Sequence, residues 1–142
     1  MDCQSPRIVP PDFEPIDRPG RFGQSFGPVY LNRKTVTLGF MVDERHENGV
    51  GMCHGGAMAT FADMQIAAVV KSGLVSTEQH TPTISLSVDY VGPAWLGTWV
   101  EAAVTVVKAT KNLVFTQAII NADGSIVARS SAIYRVYAGE SS

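Results

Sequence analysis

Gly55-Gly56-Ala57-Met58-Ala59-Thr60-Phe61-Ala62-Asp63-Met64-Gln65-Ile66-Ala67-Ala68-Val69-Val70 decides the architecture. It reads as the one convincing helix of the chain, over about residues 55–72. Lys71 and Gly73 supply its end signals, a cation in the last turn and a residue suited to the left-handed region just after it. Only Thr60, Asp63 and Gln65 in it are clearly polar. A surface helix would carry a polar stripe; this one is apolar almost all round and has to be enclosed. At 1.5 Å per residue it is roughly 24 Å long, comparable to a strand of about seven residues.

Everything around the helix reads as strands. Val29–Leu31 and Thr35–Val42 flank a turn at Asn32-Arg33-Lys34. After the helix, Thr83–Val91 alternates, with Ile84, Leu86, Val88 and Tyr90 on one face and Thr83, Ser85, Ser87 and Asp89 on the other. Thr98–Ala109, Leu113–Asn121 and Ser125–Tyr137 follow, the last two joined by the hairpin pair Asp123-Gly124. The order β-β-α-β-β-β-β predicts an α+β domain in which a curled antiparallel sheet of about six strands wraps a central helix. The strand from Thr98 would be an exposed hydrophobic edge in a lone subunit, and pairing with a second subunit would cover it. Residues 1–24 carry Pro6, Pro10, Pro11, Pro15 and Pro19 and read as an arm with one short helical turn near Asp12–Ile16; residues 25–142 form a single domain.

The chain has 142 residues, 45% of them hydrophobic and 17% charged, an ordinary balance for one globular domain. A net charge of −2 without a Lys/Arg run argues against nucleic-acid binding. Cys3 and Cys53 form neither a CxxC pair nor a disulfide framework, so the expectation is a reducing cytoplasm and no metal. The first residues lack the apolar core of a signal peptide, and no run of roughly eighteen apolar residues predicts a membrane span.

Asp63 is the sharpest anomaly. Its helical neighbours Ala59, Ile66, Ala67 and Val70 are apolar, and a carboxylate there costs several kcal/mol unless it is paired, hydrogen-bonded or protonated. It is either a functional acid or a structural one bonded to backbone. His54-Gly55-Gly56 sits where a polar loop becomes the helix. The first helical N–H groups lack internal acceptors, and glycines admit a close approach, which equips the turn to hold a developing oxyanion. A tight turn that merely needs glycine explains it equally well. Asn48, before Gly49, and Thr83, on a polar strand face, have ordinary structural explanations too. There is no HExxH, GxSxG, P-loop or GxGxxG, and adjacent Cys53 and His54 make a poor dyad.

Asn48-Gly49-Val50-Gly51-Met52-Cys53-His54-Gly55-Gly56 followed by Asp63 resembles the N-x-x-G-x-x-H-G-G-(x)6-D signature of hotdog-fold thioesterases of the phenylacetic-acid-pathway (PaaI-like) type. Tyr90-Val91-Gly92-Pro93-Ala94 with Gly97 is similar to the family's Y-x-x-P-A-x-x-G, and the resemblance spans roughly residues 26–137. It implies hydrolysis of a short, medium or aromatic acyl-CoA, with CoA as part of the substrate and no other cofactor. By this resemblance Asp63 is nucleophile or general base, the N–H of Gly55 or Gly56 polarises the thioester, Asn48 and His54 position the thioester or the water, and Thr83 orients water. The site would be shared between two subunits of a homodimer or homotetramer. Lys108, Lys111, Arg129 and Arg135 are candidate contacts for CoA phosphates, with Lys111 and Arg129 foremost. Phe40, Phe61, Met58 and Trp95 are candidates for an acyl pocket and equally good core. The alternatives are a hotdog enoyl-CoA hydratase or dehydratase and a non-catalytic acyl-CoA-binding module.

Overall fold

A computed structural model describes residues 8–18, 20–76 and 80–137. Seven strands form one wholly antiparallel sheet in the order β1-β2-β3-β5-β6-β7-β4. They are β1 (Glu14–Pro15), β2 (Tyr30–Asn32), β3 (Thr37–Met41), β4 (Thr83–Tyr90), β5 (Trp99–Ala109), β6 (Leu113–Ala122) and β7 (Ser125–Arg135). The sheet is open. Its helical partner is α2 (Gly55–Ala62) continued by α3 (Gln65–Lys71), and a short α1 (Arg21–Phe26) precedes β2. Met58, Phe61, Ala62, Ile66, Ala68 and Val69 drive the α2–α3 face into a core shared with Leu38, Phe40, Val100, Ala102, Val114 and Ile120. This is the predicted helix-on-curled-sheet arrangement, with one extra two-residue strand.

Local chemistry explains the main boundaries. After α3, the Gly73 N–H donates to Val70 O and the Leu74 N–H to Val69 O, with Gly73 at φ 79°. These paired bonds close the helix end on a left-handed glycine, as the sequence anticipates. Asp123 (φ 48°) and Gly124 (φ 86°) both take positive φ in the β6–β7 turn, which matches the strand twist.

The one long helix expected over about residues 55–72 is present, with Asp63 and Met64, at ψ −1° and 5°, interrupting its regular ladder. Three expectations change. The helix is not enclosed all round, because Ala57, Ala59, Ala67 and Val70 on its outer side remain half-buried. The strand beginning at Trp99 is no edge. It lies between β3 and β6, and the edges are β1 and β4. A long β-branched run fits an interior strand buried on one face as well as an unpaired edge, so composition could not separate the two. Finally, residues 12–16 form a turn and β1 rather than a helical turn, and the short helix lies later, at Arg21–Phe26. The Phe13 N–H donates to Pro10 O, while Pro15 stands at the sheet edge, where its missing N–H costs nothing.

Phe13 packs the chain before β1 onto the sheet. Phe13 meets Trp99 edge-on at 5.3 Å, and Tyr30 lies 5.7 Å from Trp99. The Trp99 ring covers Gly39, where an added Cβ would fall 2.1 Å from the indole. Gly39→Ala is therefore expected to displace the indole and destabilise the protein by roughly 1–3 kcal/mol. Urea denaturation checks this; a midpoint equal to the wild type would show that the ring yields freely.

Candidate active site

The helix break is built around Asp63. The Ala67 N–H donates to Met64 O, which releases Asp63 O from the helical ladder. The Tyr134 hydroxyl takes up that carbonyl at 3.0 Å and lies 3.2 Å from Asp63 Oδ1. Gln65 Nε2 donates to Ala62 O at 2.9 Å, capping the other freed carbonyl. Gln65 is fully buried and saturated. Its Nε2 also meets Ser130 Oγ at 3.0 Å, and its Oε1 accepts from Thr116 Oγ1 at 2.8 Å. The interruption is thus satisfied group by group, as a buried break must be.

Thr83 Oγ1 donates to Asp63 Oδ1 at 2.7 Å. Strict alternation places Thr83 on the face opposite Leu86, yet both reach the helix side, since Leu86 and Asp63 line one cleft. A bulge resolves the conflict. On β7 the register advances by one residue, Tyr134 to Ile133, while β4 advances by two, Thr83 to Ser85. The extra residue re-aims the side chain before it. Thr83 and Tyr134 are a directly opposed cross-strand pair, and both hydroxyls reach the same carboxylate oxygen. Asp63 itself is half-buried, with Oδ1 so held; among the described residues nothing hydrogen-bonds to Oδ2. The Tyr134 phenol is pushed strongly up, first by burial and then by the Asp63 charge and hydrogen bond, with a backbone hydrogen bond from Ile66 opposing. It stays protonated and donates.

The glycine turn is equally specific. His54 caps α2, its Nδ1 accepting the Gly56 N–H at 2.8 Å. This occupies Gly56 and leaves Gly55 as the first helical amide without an acceptor among the described residues. Because Nδ1 accepts, the neutral His54 ring carries its proton on Nε2. The Tyr90 hydroxyl donates to Gly55 O at 2.7 Å, fixing the peptide from the sheet side. Asn48 shapes the approach: its Oδ1 accepts from the Val50 N–H at 2.9 Å and the Met52 N–H at 3.2 Å. His46 is a buried structural residue against Phe26 and Phe40. Its Nδ1 accepts the Asp43 N–H and its Nε2 donates to Phe26 O.

Clefts flank both centres. One of about 350 Å³ opens beside Gly55, between Met52, Met58, Tyr90 and Val127. Another of about 360 Å³ opens beside Asp63, between Arg18, Phe22, Thr60 and Leu86. Arg18 has no carboxylate partner among the described residues, and burial lowers its pKa. Sequence reading missed Arg18 and Tyr134. An inward-facing tyrosine needs a partner for its hydroxyl, which was the available signal for Tyr134. Lys111 stands exposed in the β5–β6 turn, and Arg129 pairs with Asp89 at 2.8 Å on exposed strand positions; neither lines the Gly55 or Asp63 cleft. Phe40 and Phe61 are core, Met58 is core that borders the Gly55 cleft, and Trp95 is exposed.

Burial pushes the Cys53 thiol up to about 11. At pH 8 it remains protonated, so in a Cys3→Ser background alkylation by iodoacetamide should run on the order of a hundredfold slower than for a free thiol. Labelling at the free-thiol rate would show that the loop opens readily.

Within one protomer Asp63 lies eight positions beyond Gly55. At 1.5 Å per residue that is about 12 Å, too far for both to act on one carbonyl.

A family model described as "Thioesterase superfamily" matches residues 50–128. A putative esterase of Pseudomonas aeruginosa is 27% identical over 133 residues, covering 90% of this chain and 97% of that protein. Human acyl-coenzyme A thioesterase 13 is 33% identical over 92 residues, covering 62% of this chain and 63% of its own. Among solved structures, a hypothetical thioesterase from Streptococcus pneumoniae with coenzyme A superposes with a TM-score of 0.64 at 20% identity, covering 80% and 81% of the two chains. The Escherichia coli PaaI protein from the phenylacetic acid degradation operon gives 0.63 at 19% identity, covering 78% and 74%. The match lies over the helix and its flanking strands, and the chain belongs to the thioesterase superfamily, as a thioester hydrolase on the hotdog fold.

Proposed function

We propose that the protein hydrolyses an acyl-CoA thioester at a site assembled from two copies of the chain. The observation that carries this reading is the separation of its two halves: a Gly55 N–H at the helix start and, about 12 Å along, a carboxylate with one oxygen held, the N–H and the other oxygen having no partner among the described residues. In a pair, Gly55 of one copy polarises the carbonyl while Asp63 of the other acts beside it. The half-buried apolar side of α2–α3 and the outer edge of β4, unpaired among the described residues, give the second copy a place to dock. The likeness to acyl-coenzyme A thioesterase 13 supports CoA as the thiol carrier.

The chemistry balances with water as sole co-reactant. Asp63 either takes a proton from water as its oxygen adds to the carbonyl carbon, or adds directly to form an anhydride that water then opens. In both routes the C–S bond breaks, the CoA sulfur leaves with the electron pair and gains a proton, and the free acid remains. Thr83 holds Asp63, His54 secures the turn that presents Gly55, and Asn48 folds the loop leading into it. The compartment we propose is the cytoplasm; among the described residues no helix is long and apolar enough to cross a membrane. The test is thiol release from saturated acyl-CoAs graded by chain length and from aromatic acyl-CoAs. The wild type should release CoA from at least one class. No release across the panel, or hydration of a 2-enoyl-CoA without release, would sink the reading.

A further inference from the structure

We infer that Tyr134 is a positioning residue that, with Thr83, pins Oδ1 of Asp63 and so makes Oδ2 the reacting oxygen. The inference rests on the proposed role of Asp63. Tyr134 is fully buried, comes from β7 far along the chain, and meets Asp63 at both its carbonyl and its carboxylate, at 3.0 Å and 3.2 Å. A phenol has one proton, so these two acceptors share it. The shared bond ties the carboxylate's orientation to the helix break itself: the hydroxyl that holds the interruption open also holds Oδ1. Thr83 approaches the same oxygen at 2.7 Å from the opposed strand. Two donors on one oxygen fix the rotation of the carboxylate and leave Oδ2 as the atom without a hydrogen-bond partner among the described residues. Asp63 borders the cleft between Phe22 and Leu86, where an acyl group has room beside it.

A tyrosine filling core space would serve as well without its hydroxyl; a positioning tyrosine would not. Tyr134→Phe keeps the buried ring and removes only the donor. The expected result is a fall in kcat of about tenfold, or ~1.4 kcal/mol, with KM unchanged. In an Asp63→Ala background the same substitution should cause no further loss, because the group it orients is gone. Wild-type kcat in Tyr134→Phe, with Asp63→Ala inactive, overturns the inference and leaves the proposed function standing. An equal loss in both backgrounds assigns Tyr134 to structure alone and also overturns it. Full activity of Asp63→Ala removes the proposed function and this inference with it. If Tyr134→Phe does not fold, 3-fluorotyrosine at position 134 keeps ring and hydroxyl while strengthening the donor. A changed kcat at constant KM then supports the inference, and an unchanged kcat overturns it.

Discussion

Asp63→Ala is expected to lower kcat for thioester hydrolysis roughly a thousandfold while the protein stays folded. The reaction needs either an electron pair to attack the carbonyl or a base to take a proton from water, and the alanine methyl offers neither. The fold should survive because the main bonds of the helix break do not depend on the carboxylate: Tyr134 keeps the Asp63 backbone carbonyl, and Gln65 keeps that of Ala62. Asp63→Asn is the sharper variant, since its amide oxygen still accepts from Thr83 and Tyr134 yet is a poor base. Both variants should give superimposable circular dichroism and near-background thiol release. Activity within tenfold of wild type in either one would remove Asp63 from the reaction.

The second large effect belongs to Gly55→Pro. Proline has no N–H, so the substitution deletes the proposed carbonyl-polarising donor. Position 55 is the first residue of α2, where proline is well tolerated. The residue before a proline must be extended, and His54 already has φ −61° and ψ 139°. An added Cβ meets the Tyr90 ring at 3.7 Å, an ordinary contact. The variant should therefore fold and lose a factor of about 10²–10³ in kcat, the usual cost of one oxyanion donor. Mixing tests the shared site directly. A dimer with one Asp63→Ala chain and one Gly55→Pro chain contains one site with both groups intact. Random exchange makes about half the dimers mixed, so denaturing and refolding the two inactive proteins together should restore about a quarter of wild-type activity. Failure to restore any activity, with mixed dimers demonstrated, would place both groups in one protomer's site.

The existence of the helix, its glycine ends and the succession of strands along the chain were legible because they rest on local signals: periodicity, absence of proline, and residues suited to left-handed turns. Asp63 stood out for the same reason, as a charge among apolar helical neighbours. The helix break at Asp63 was not legible. Asp63, Met64 and Gln65 have no strong helix-breaking chemistry, and the carbonyl freed at the interruption is satisfied by Tyr134, about seventy positions away. Thr83 carried the wrong expectation on its face because a bulge leaves no clear mark in a regularly alternating strand. The edge was misassigned to the strand from Trp99 because hydrophobicity records burial and not hydrogen-bonding partners. Gly55 and Gly56 looked equivalent until the His54 ring separated them.

The sheet order sets when the site comes into being. Among the described residues β4 pairs within the sheet with β7 alone, yet β5 and β6 are made between them. During synthesis β4 therefore waits for its sheet partner until β5, β6 and β7 have emerged. Only when the last strand slots in beside it do Thr83 and Tyr134 come face to face, and only then is Asp63 gripped. Strand pairs β2–β3, β5–β6 and β6–β7 close over short loops and can form early, whereas the β4–β7 closure spans a long stretch of chain and comes late. A chain cut short before Tyr134 would keep its acid and its glycine turn and still lack the clasp that orients the acid, so chemical competence arrives with β7.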